Sequence, residues 1–245
     1  MDYVRQLGSG ATCSVWLARR KKKCVVVKRV AAAHLRAGAR ELAVLHRLRG
    51  DSGFVQLLHA ELAATPKAGG LDIVLERCEG DLFARLQRQG SFTLSQARLW
   101  LHPVAGALQR LHRMGYVHGD VKPENILVRA DGSTCLADFG ITAKTLRGGQ
   151  GTHEYMAPEL LVGDGDERVD WWAFGILAHE LVQGAPPWVH ADAATLRRMI
   201  TDARVAYTPR MPHVFRCLLE GLLQPNPRNR WTATRVLAHT FFRKE

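Results

Sequence analysis

The chain has 245 residues, of which 47% are hydrophobic, so it can form one large domain or two lobes that share a cleft. It contains no run of eighteen apolar residues and its first ten residues lack the apolar centre of a signal peptide, so we expect neither a membrane span nor secretion. The formal net charge of +11 favours polyanionic partners such as nucleotides, nucleic acids or anionic lipids. The basic run at positions 19–23 is explained more simply as a solvated turn.

The cysteines are few and dispersed, without the spacing of a zinc site or of a disulfide framework. They are Cys13, Cys24, Cys78, Cys135 and Cys217. An odd, scattered set predicts reduced thiols, and therefore a location in the cytoplasm, the nucleus or both.

The first third of the chain has the patterns of strands. The segments "YVRQLG", "SVWLAR" and "CVVVKRV" are rich in β-branched residues and are separated by glycine or clustered charges, so each predicts a strand. Apolar residues at helical spacing in "LRAGARELAVLHRL" predict one helix. "FVQLLHAEL" and "LDIVLERC" predict two more strands, joined by the polar loop "ATPKAGG".

Beyond Gly80 the patterns are mostly helical. "SQARLWLHPVAGALQRLHRMG" predicts a long helix with Ser95 as its cap and Gly115 at its end, bent or delayed by Pro103. Short strands are predicted in "ILVRADGSTCLADF". Helices are predicted in "VDWWAFGILAHELVQG", "DAATLRRMITDA", "VFRCLLEGLL" and "TATRVLAHTFF". The sequence therefore predicts an α+β chain with a strand-rich part at 1–79 and a mostly helical part at 80–245.

Two features of the strand-rich part suit phosphate. Gly8 and Gly10 in "LGSGATCSV" would let backbone amides approach an anion closely, although a tight hairpin uses the same residues. Cys13 stands where the pattern G-x-G-x-x-G has its third glycine. Lys28 closes an apolar strand, either as an edge residue or as a phosphate-binding cation that Glu41 of the following helix would pair with.

The segment "YVHGDVKPENILV" places an acid, a cation and an amide side by side. Asp120 can orient a hydroxyl proton, Lys122 can neutralise charge, and the amide oxygen of Asn125 can bind a metal ion. Asp138 in "LADFG" offers the carboxylate that Mg²⁺ prefers. Taken singly, each aspartate also suits a turn or a helix cap.

The ordered set formed by Gly8-x-Gly10, Lys28, Glu41, "HGDVKPEN", "DFG" and "APE" resembles the eukaryotic protein kinase family, over essentially the whole chain. The resemblance implies a two-lobed α+β kinase fold, with a small β-rich N-lobe containing one main helix and a larger, mostly helical C-lobe. It also implies ATP and Mg²⁺ as cofactors. "KPEN", and "GT" before "APE", resemble the serine/threonine branch, and the "VDWW" helix is most similar to the cyclic-nucleotide-dependent and calcium/calmodulin-type groups.

The resemblance also implies roles for individual residues. Asp120 and Lys122 would be catalytic, while Asn125 and Asp138 would hold Mg²⁺. The residues implied to bind the nucleotide are Leu7, Gly8, Ser9, Gly10, Ala11, Thr12, Cys13, Val15, Val26, Lys28, Glu41, Glu76, Cys78 and Leu127. Leu75 would be the gatekeeper beside the adenine, and Thr152 would lie near Asp120.

Further contacts are implied by the same resemblance. Glu159 would pair with Arg230, and Asp170 would accept backbone hydrogen bonds from the segment around Asp120. Leu45, Leu57, His118 and Phe139 would stack between the lobes. Asp81, Glu124 and Glu180 match positions that bind arginines upstream of a target hydroxyl, so we expect basic substrates; the alternative is that all three are solvated surface carboxylates.

The sequence departs from the family pattern in several places. Gly119 stands where the family usually has an arginine that binds a phosphorylated residue, so we expect activity that depends little on phosphorylation of the following loop. Thr142 and Thr145 remain candidate modification sites in that loop. The interval from Lys28 to Glu41 is short, which predicts a helix that has lost a turn. We expect a monomer without flanking regulatory domains.

Three function classes follow from these observations. The first is an active serine/threonine kinase that phosphorylates protein hydroxyls, with no stable nucleic-acid partner. The second is a pseudokinase scaffold, which Gly119 and Cys13 favour but the four residues Lys28, Asp120, Asn125 and Asp138 do not. The third is a small-molecule phosphotransferase, against which "KPEN", "APE" and the "DWW" helix indicate protein substrates.

Overall fold

The computed structural model describes residues 1–10, 12–63 and 69–243. Its first part is a five-stranded antiparallel sheet in the order β1-β2-β3-β5-β4. The strands are β1 (Asp2–Ser9), β2 (Cys13–Arg20), β3 (Lys23–Ala31), β4 (Leu57–Ala63) and β5 (Gly70–Leu75). A short 3-10 turn (Ala32–His34) leads from β3 into helix α1 (Leu35–Arg47). The strands and the helix predicted for this region are present; the predicted loop "ATPKAGG" lies largely outside the described residues.

The second part is mainly helical and contains a three-stranded sheet in the order β6-β7-β8. Its strands are β6 (Gly80–Asp81), β7 (Ile126–Val128) and β8 (Thr134–Leu136). Its helices are α2 (Leu82–Gln89), α3 (Leu94–Arg113), α4 (Arg168–Gln183), α5 (Ala193–Asp202), α6 (His213–Leu222) and α7 (Ala233–Leu237). Residues 76–79, here called the hinge segment, connect the two sheets, and the boundary expected from the sequence falls at the end of this segment.

The structure corrects several local expectations, two of which concern helix α3. Helix α3 is capped by Thr93 rather than Ser95, because the Thr93 hydroxyl accepts from the Gln96 amide while the Gln96 side chain accepts from the Thr93 amide. Pro103 does not delay the start of α3, which begins at Leu94; buried residues on one face, among them Leu101 and Leu108, hold the helix against the core on both sides of the proline.

The other corrections concern helices α2 and α7. Helix α2 was not predicted from the sequence; Asp81 caps it by accepting from the Ala84 amide. The last predicted helix is interrupted, because α7 ends at Leu237 and only a 3-10 turn (Thr240–Phe242) follows.

One continuous hydrophobic core joins both sheets to the helices. It includes Leu45 of α1, Ile73 of β5, Leu136 of β8 and Trp172 of α4. Helix α4 is buried on all sides from Val169 to Leu181, so it forms the centre of the helical part. No helix in the described part of the chain is both long enough and apolar enough to cross a bilayer. Strand β3 with Lys28, helix α1 with Glu41, and strand β8, which leads to Asp138, all contribute residues to this core.

The turn between β2 and β3 is the exposed basic turn that the sequence predicted. Lys21 and Lys22 adopt left-handed backbone conformations, with φ of 47° and 66°, and both side chains are exposed. Two-residue hairpin turns of this kind favour asparagine and glycine, because other residues are strained in the left-handed region.

We predict that Lys22→Gly raises the free energy of unfolding by about 0.5–1 kcal/mol, because relief of the left-handed strain exceeds the added flexibility of glycine. Chemical denaturation measures the change. Lys23→Gly is the matched control: it removes the same charge from a strand residue and should lower stability. Equal shifts in both variants would show that charge, not backbone strain, controls the turn.

Candidate active site

An ion triad joins β3, α1 and the segment after β8; the Lys28 and Glu41 side chains are largely buried, whereas that of Asp138 is 48% exposed. The Lys28 ammonium lies 2.7 Å from Glu41 Oε1 and 2.8 Å from Asp138 Oδ1. Burial by itself would lower the pKa of Lys28, but the charges of Glu41 and Asp138 outweigh it and raise that pKa above its ordinary value. Lys28 therefore stays charged, and its predicted pairing with Glu41 is present.

Asp138 has one carboxylate oxygen engaged and one available. Lys28 and the Gly140 amide both donate to Oδ1, the latter at 3.3 Å. Burial acts to raise the pKa of Asp138, but the Lys28 charge lowers it below its ordinary value, so the carboxylate remains ionised. Within the described chain, the recorded hydrogen bonds of this side chain go to Oδ1, which leaves Oδ2 for a cation.

The acid, cation and amide of the "HGDVKPEN" segment converge on one another. Lys122 Nζ lies 2.8 Å from Asp120 Oδ2, and the Thr152 hydroxyl donates to Asp120 Oδ1 at 2.7 Å while accepting from Lys122 at 2.7 Å. The Asn125 amide nitrogen donates to the carbonyl and to Oδ2 of Asp120, at 2.7 and 3.0 Å. Because its nitrogen is engaged in this way, Asn125 has its amide oxygen available for a metal ion.

A buried carboxylate from α4 fixes the backbone of this segment. Asp170 is 1% exposed and accepts from the amides of His118 and Gly119, both at 2.8 Å. Burial acts to raise the pKa of Asp170, but the hydrogen bond and charge of His112 hold it below the ordinary value. The predicted role of Asp170 as an acceptor for this backbone is confirmed by these contacts.

Backbone pairing brings Asn125 and Asp138 to corresponding ends of adjacent strands. Ile126 of β7 pairs with Leu136 of β8, and the Ala137 amide donates to the Asn125 carbonyl at 2.9 Å. Both candidate metal ligands adjoin this last backbone contact. Such an arrangement of an amide oxygen and a carboxylate oxygen suits a hard divalent cation.

The comparison with protein families agrees with this geometry. Residues 1–242 match the family described as the protein kinase domain. The chain belongs to the protein kinase family. The kinase fold and the family predicted from the sequence are thereby confirmed.

Individual relatives of this kinase domain are serine/threonine kinases by name. The RAC family serine/threonine-protein kinase homolog of Dictyostelium discoideum is 36% identical over 173 residues, covering 67% of this chain and 39% of that protein. Serine/threonine-protein kinase YPK1 of Saccharomyces cerevisiae is 32% identical over 263 aligned positions, covering 98% of this chain and 38% of that protein. The chain thus spans about two fifths of the length of these relatives.

Outside the hinge segment, the other candidate nucleotide-binding residues that the structure describes lie on β1, β2, β3 and β7 or directly beside these strands. Val15 pairs with Gly8 on one side and with Lys28 on the other, and Val26 pairs with Leu75. Leu7, Gly8, Ser9, Gly10 and Thr12 are exposed, while Cys13 is partly buried. Ala11 lies outside the described residues. Leu127 of β7 pairs with Asp81 and Cys135.

The hinge segment contains contacts that the sequence did not predict. The two oxygens of Glu76 accept from the Arg129 guanidinium at 2.8 and 3.0 Å, and the Glu76 amide donates to Gln56 at 2.9 Å. Glu76 therefore anchors the hinge segment with its carboxylate and its backbone amide. The Sγ atoms of Cys78 and Cys135 lie 4.0 Å apart, although the sequence suggested unrelated thiols.

Predicted contacts between distant segments are also observed in this kinase domain. The rings of His118 and Phe139 contact each other with centroids 5.3 Å apart. Leu45 and Leu57, the other members of the expected stack, are buried in the same core.

The Glu41 residue is 4% exposed within the same region, and burial raises the pKa of its carboxyl although Lys28 opposes the shift.

Gly119 stands where the family pattern has an arginine, and here it contacts the apolar side chain of Leu146. Gly119 has a φ of 86°, and a Cβ placed there would come within 2.8 Å of Leu146. Leu146 is fully buried and exchanges backbone hydrogen bonds with Gly165, both at 3.0 Å. Thr142, a candidate modification site, is buried and contacts the His118 carbonyl, which makes its modification unfavourable in this conformation.

Arg230 and Glu159 form the ion pair that the sequence predicted. The Arg230 side chain is fully buried and donates to both Glu159 oxygens, at 2.6 and 2.9 Å. The pair connects the end of the "APE" segment to the chain after α6. Removing one partner of a buried pair leaves the other charge unbalanced.

We predict that Glu159→Gln lowers the free energy of unfolding by about 3–5 kcal/mol, because the Arg230 charge stays buried without its counter-charge. The double variant Glu159→Gln/Arg230→Met should recover part of this loss, as denaturant unfolding would show. If the stability losses of Glu159→Gln and of Arg230→Met alone simply add up to the loss of the double variant, the proposed coupling is contradicted.

Proposed function

We propose that the chain is an ATP-dependent serine/threonine protein kinase that transfers the γ-phosphate to protein hydroxyls. The observation that carries this proposal is the pair of side-chain clusters, Lys28 with Glu41 and Asp138, and Asp120 with Lys122 and Asn125, in a chain of the kinase family. The names of the relatives, all serine/threonine-protein kinases, support protein substrates.

The proposed nucleotide site uses the groups that the two sheets bring together. Lys28 would bind the α- and β-phosphates, and the turn from Gly8 to Val15 would cover them with backbone amides. Val26 and Leu127 would pack against the adenine, while the Glu76 carbonyl and the Cys78 backbone would bind its edge. Lys28 is well suited to phosphate because its pKa is raised and the ammonium remains charged.

The donors around Asp138 fit Mg²⁺. Asp138 Oδ2 and the Asn125 amide oxygen are hard oxygen ligands, which this ion prefers. When bound, Mg²⁺ would neutralise charge on the phosphate oxygens. The triad keeps Asp138 ionised for this role, and Asp120 keeps the Asn125 amide turned with its nitrogen inward.

The proposed transfer step depends mainly on positioning and charge. Asp120 would orient the substrate hydroxyl and accept its proton, and Lys122 would stabilise charge on the transferring group. Thr152 positions both, because its hydroxyl bridges Asp120 Oδ1 and Lys122 Nζ at 2.7 Å to each. The substrate hydroxyl is therefore expected to enter beside Thr152.

We also propose that this site is formed without phosphorylation of the loop after Asp138. Leu146 packs against Gly119 in place of a charged contact, and the Leu146–Gly165 backbone pairing holds the loop. Burial of one leucine side chain contributes about 1.5–3 kcal/mol, which does not depend on a phosphate.

We predict that phosphatase-treated protein phosphorylates a generic basic protein with Mg²⁺-ATP, and that Asp138→Asn lowers the rate at least about a hundredfold, a loss typical of removing one electrostatic group. Asp131→Asn is the matched control, because Asp131 is an exposed carboxylate in the β7–β8 turn and should keep full activity. Radiolabel transfer measures both rates. Equal background in the parent protein and in Asp138→Asn, with nucleotide still bound, would instead indicate a pseudokinase.

We also propose that the chain prefers basic substrates, whose arginines would bind the carboxylates of Glu180, Glu124 and Asp81. Glu180 on α4 is 5% exposed and accepts a hydrogen bond from the Tyr155 hydroxyl, so it is not a solvated surface carboxylate. Burial raises the pKa of Glu180 to about 7, with Glu124 contributing through repulsion. Glu124 is exposed, whereas the Asp81 carboxylate also caps α2. An arginine reaching these groups would relieve the repulsion and stabilise ionised Glu180.

This proposal predicts a pH-dependent substrate preference. Below about pH 7 Glu180 is protonated and neutral, and above it the carboxylate attracts arginine. The ratio of kcat/KM for a peptide with arginines before the serine to that of its alanine-substituted match should therefore rise between about pH 6 and 8.

Glu180→Gln supplies the control for this preference. It should flatten the pH dependence of the ratio, because the amide carries no charge at either pH. The ratio separates substrate recognition from the general pH dependence of phosphotransfer. A ratio near unity throughout the range in the parent protein would rule out the basic preference.

A further inference from the structure

Two thiols that are distant in the sequence lie together where the hinge segment meets β8. Cys78 belongs to the hinge segment, and Cys135 lies on β8, three residues before Asp138. Their Sγ atoms are 4.0 Å apart, although the residues are separated by 57 positions. Both are free thiols in the structure, within reach of each other after a small movement.

The two thiols differ in accessibility. Cys78 is partly exposed and Cys135 is fully buried. A soluble oxidant therefore meets Cys78 first, and Cys135 can react only through Cys78. Cys78 can therefore react with the oxidant first, and Cys135 can then attack the sulfur of Cys78 to form a disulfide.

The surroundings make Cys78 the more acidic thiol. The hydrogen bond between the two thiols lowers the pKa of Cys78; burial and the Glu76 charge oppose this shift, and the nearby Arg129 charge adds to it. The same contact and burial raise the pKa of Cys135. Because the thiolate is the nucleophile, Cys78 is the group that attacks an oxidant.

A metal ion fits this cluster less well than a disulfide. Glu76 is the third group whose ligand atoms lie within 4.8 Å of the two sulfurs. Both Glu76 oxygens already accept from the Arg129 guanidinium, so a metal cation would have to displace a paired cation. With Glu76 engaged by Arg129, the two sulfurs are better suited to forming a disulfide than to binding a metal ion.

We propose that Cys78 and Cys135 are a redox-sensitive dithiol that glutathione disulfide converts into an intramolecular disulfide. The Cys78 thiolate attacks one sulfur of glutathione disulfide, forms a mixed disulfide and releases one glutathione thiolate, which takes a proton. Cys135 then loses its proton and attacks Cys78 Sγ, the mixed disulfide breaks, and a second glutathione leaves. The two cysteines lose two electrons and two protons, which reduce one glutathione disulfide to two glutathione molecules.

The bond would alter the nucleotide site. A disulfide holds its sulfurs about 2 Å apart, so the present separation of 4.0 Å must shrink by about half. The hinge segment then moves toward β8, which leads directly to Asp138. This consequence rests on the proposed function, in which the Cys78 backbone binds adenine; losing one such hydrogen bond weakens nucleotide binding by about tenfold.

The test treats the full chain with glutathione disulfide and follows intact mass and disulfide-linked peptides. The expected product contains the Cys78 and Cys135 peptides linked to each other, together lighter by two hydrogen atoms, and the link reverts with dithiothreitol; glutathione carried by the more accessible thiols is counted separately in the intact mass. Cys24→Ser, which removes an exposed thiol outside the pair, should form the same product. A product that retains glutathione on Cys78 with Cys135 still free, or links involving Cys24, would overturn the proposal.

A variant and a binding measurement complete the experiment. Cys135→Ser should stop the reaction at the Cys78–glutathione mixed disulfide, and continued loss of two hydrogens in that variant would also overturn the proposal. Nucleotide affinity of the oxidised parent protein, measured by calorimetry, should fall and recover on reduction. Unchanged affinity in a protein shown to be cross-linked would refute the effect on the nucleotide site, whereas a protein that binds no nucleotide when reduced would refute the proposed function instead.

Discussion

A buried ammonium group needs counter-charges, and in this chain those of Lys28 on β3 come from two other parts of the fold. The Lys28 side chain is 12% exposed, and transferring such a cation from water costs several kcal/mol unless it is paired. Glu41 on α1 and Asp138 after β8 each lie within 2.8 Å of it. The triad thus couples the position of α1 and the "DFG" segment to the five-stranded sheet, and the proposed nucleotide site depends on that coupling.

The same constraint recurs where other distant segments meet. Asp170 is buried and is satisfied by the backbone of the segment before Asp120, and Arg230 is buried and is satisfied by Glu159. In each case a charge that would be unfavourable alone is stabilised only when two segments adopt one arrangement. The proposed catalytic groups therefore lie on a backbone that is fixed by buried polar contacts rather than by local sequence.

The sequence predicted those features that local patterns and motifs determine. Strands β2 and β3, helix α1 and the Lys28–Glu41 pair followed from periodicity and from the kinase resemblance, as did the Asp170 and Arg230 contacts. The cap at Thr93 was missed because Ser95 is an equally good capping residue type, and only the reciprocal contact with Gln96 decides between them. The packing of Leu146 against Gly119 depends on tertiary structure, which no spacing in the chain encodes. For the same reason the proximity of Cys78 and Cys135 could not be predicted.

The central claim is that Glu41 and Asp138 keep Lys28 charged inside the fold. Carbon-13 NMR titration of the Lys28 side chain measures this directly, with Glu41→Gln as the comparison protein. The account predicts a pKa above the ordinary lysine value of about 10.4, which falls when the Glu41 charge is removed. A Lys28 pKa below that value in the parent protein, as expected for a buried amine without counter-charges, would contradict the account.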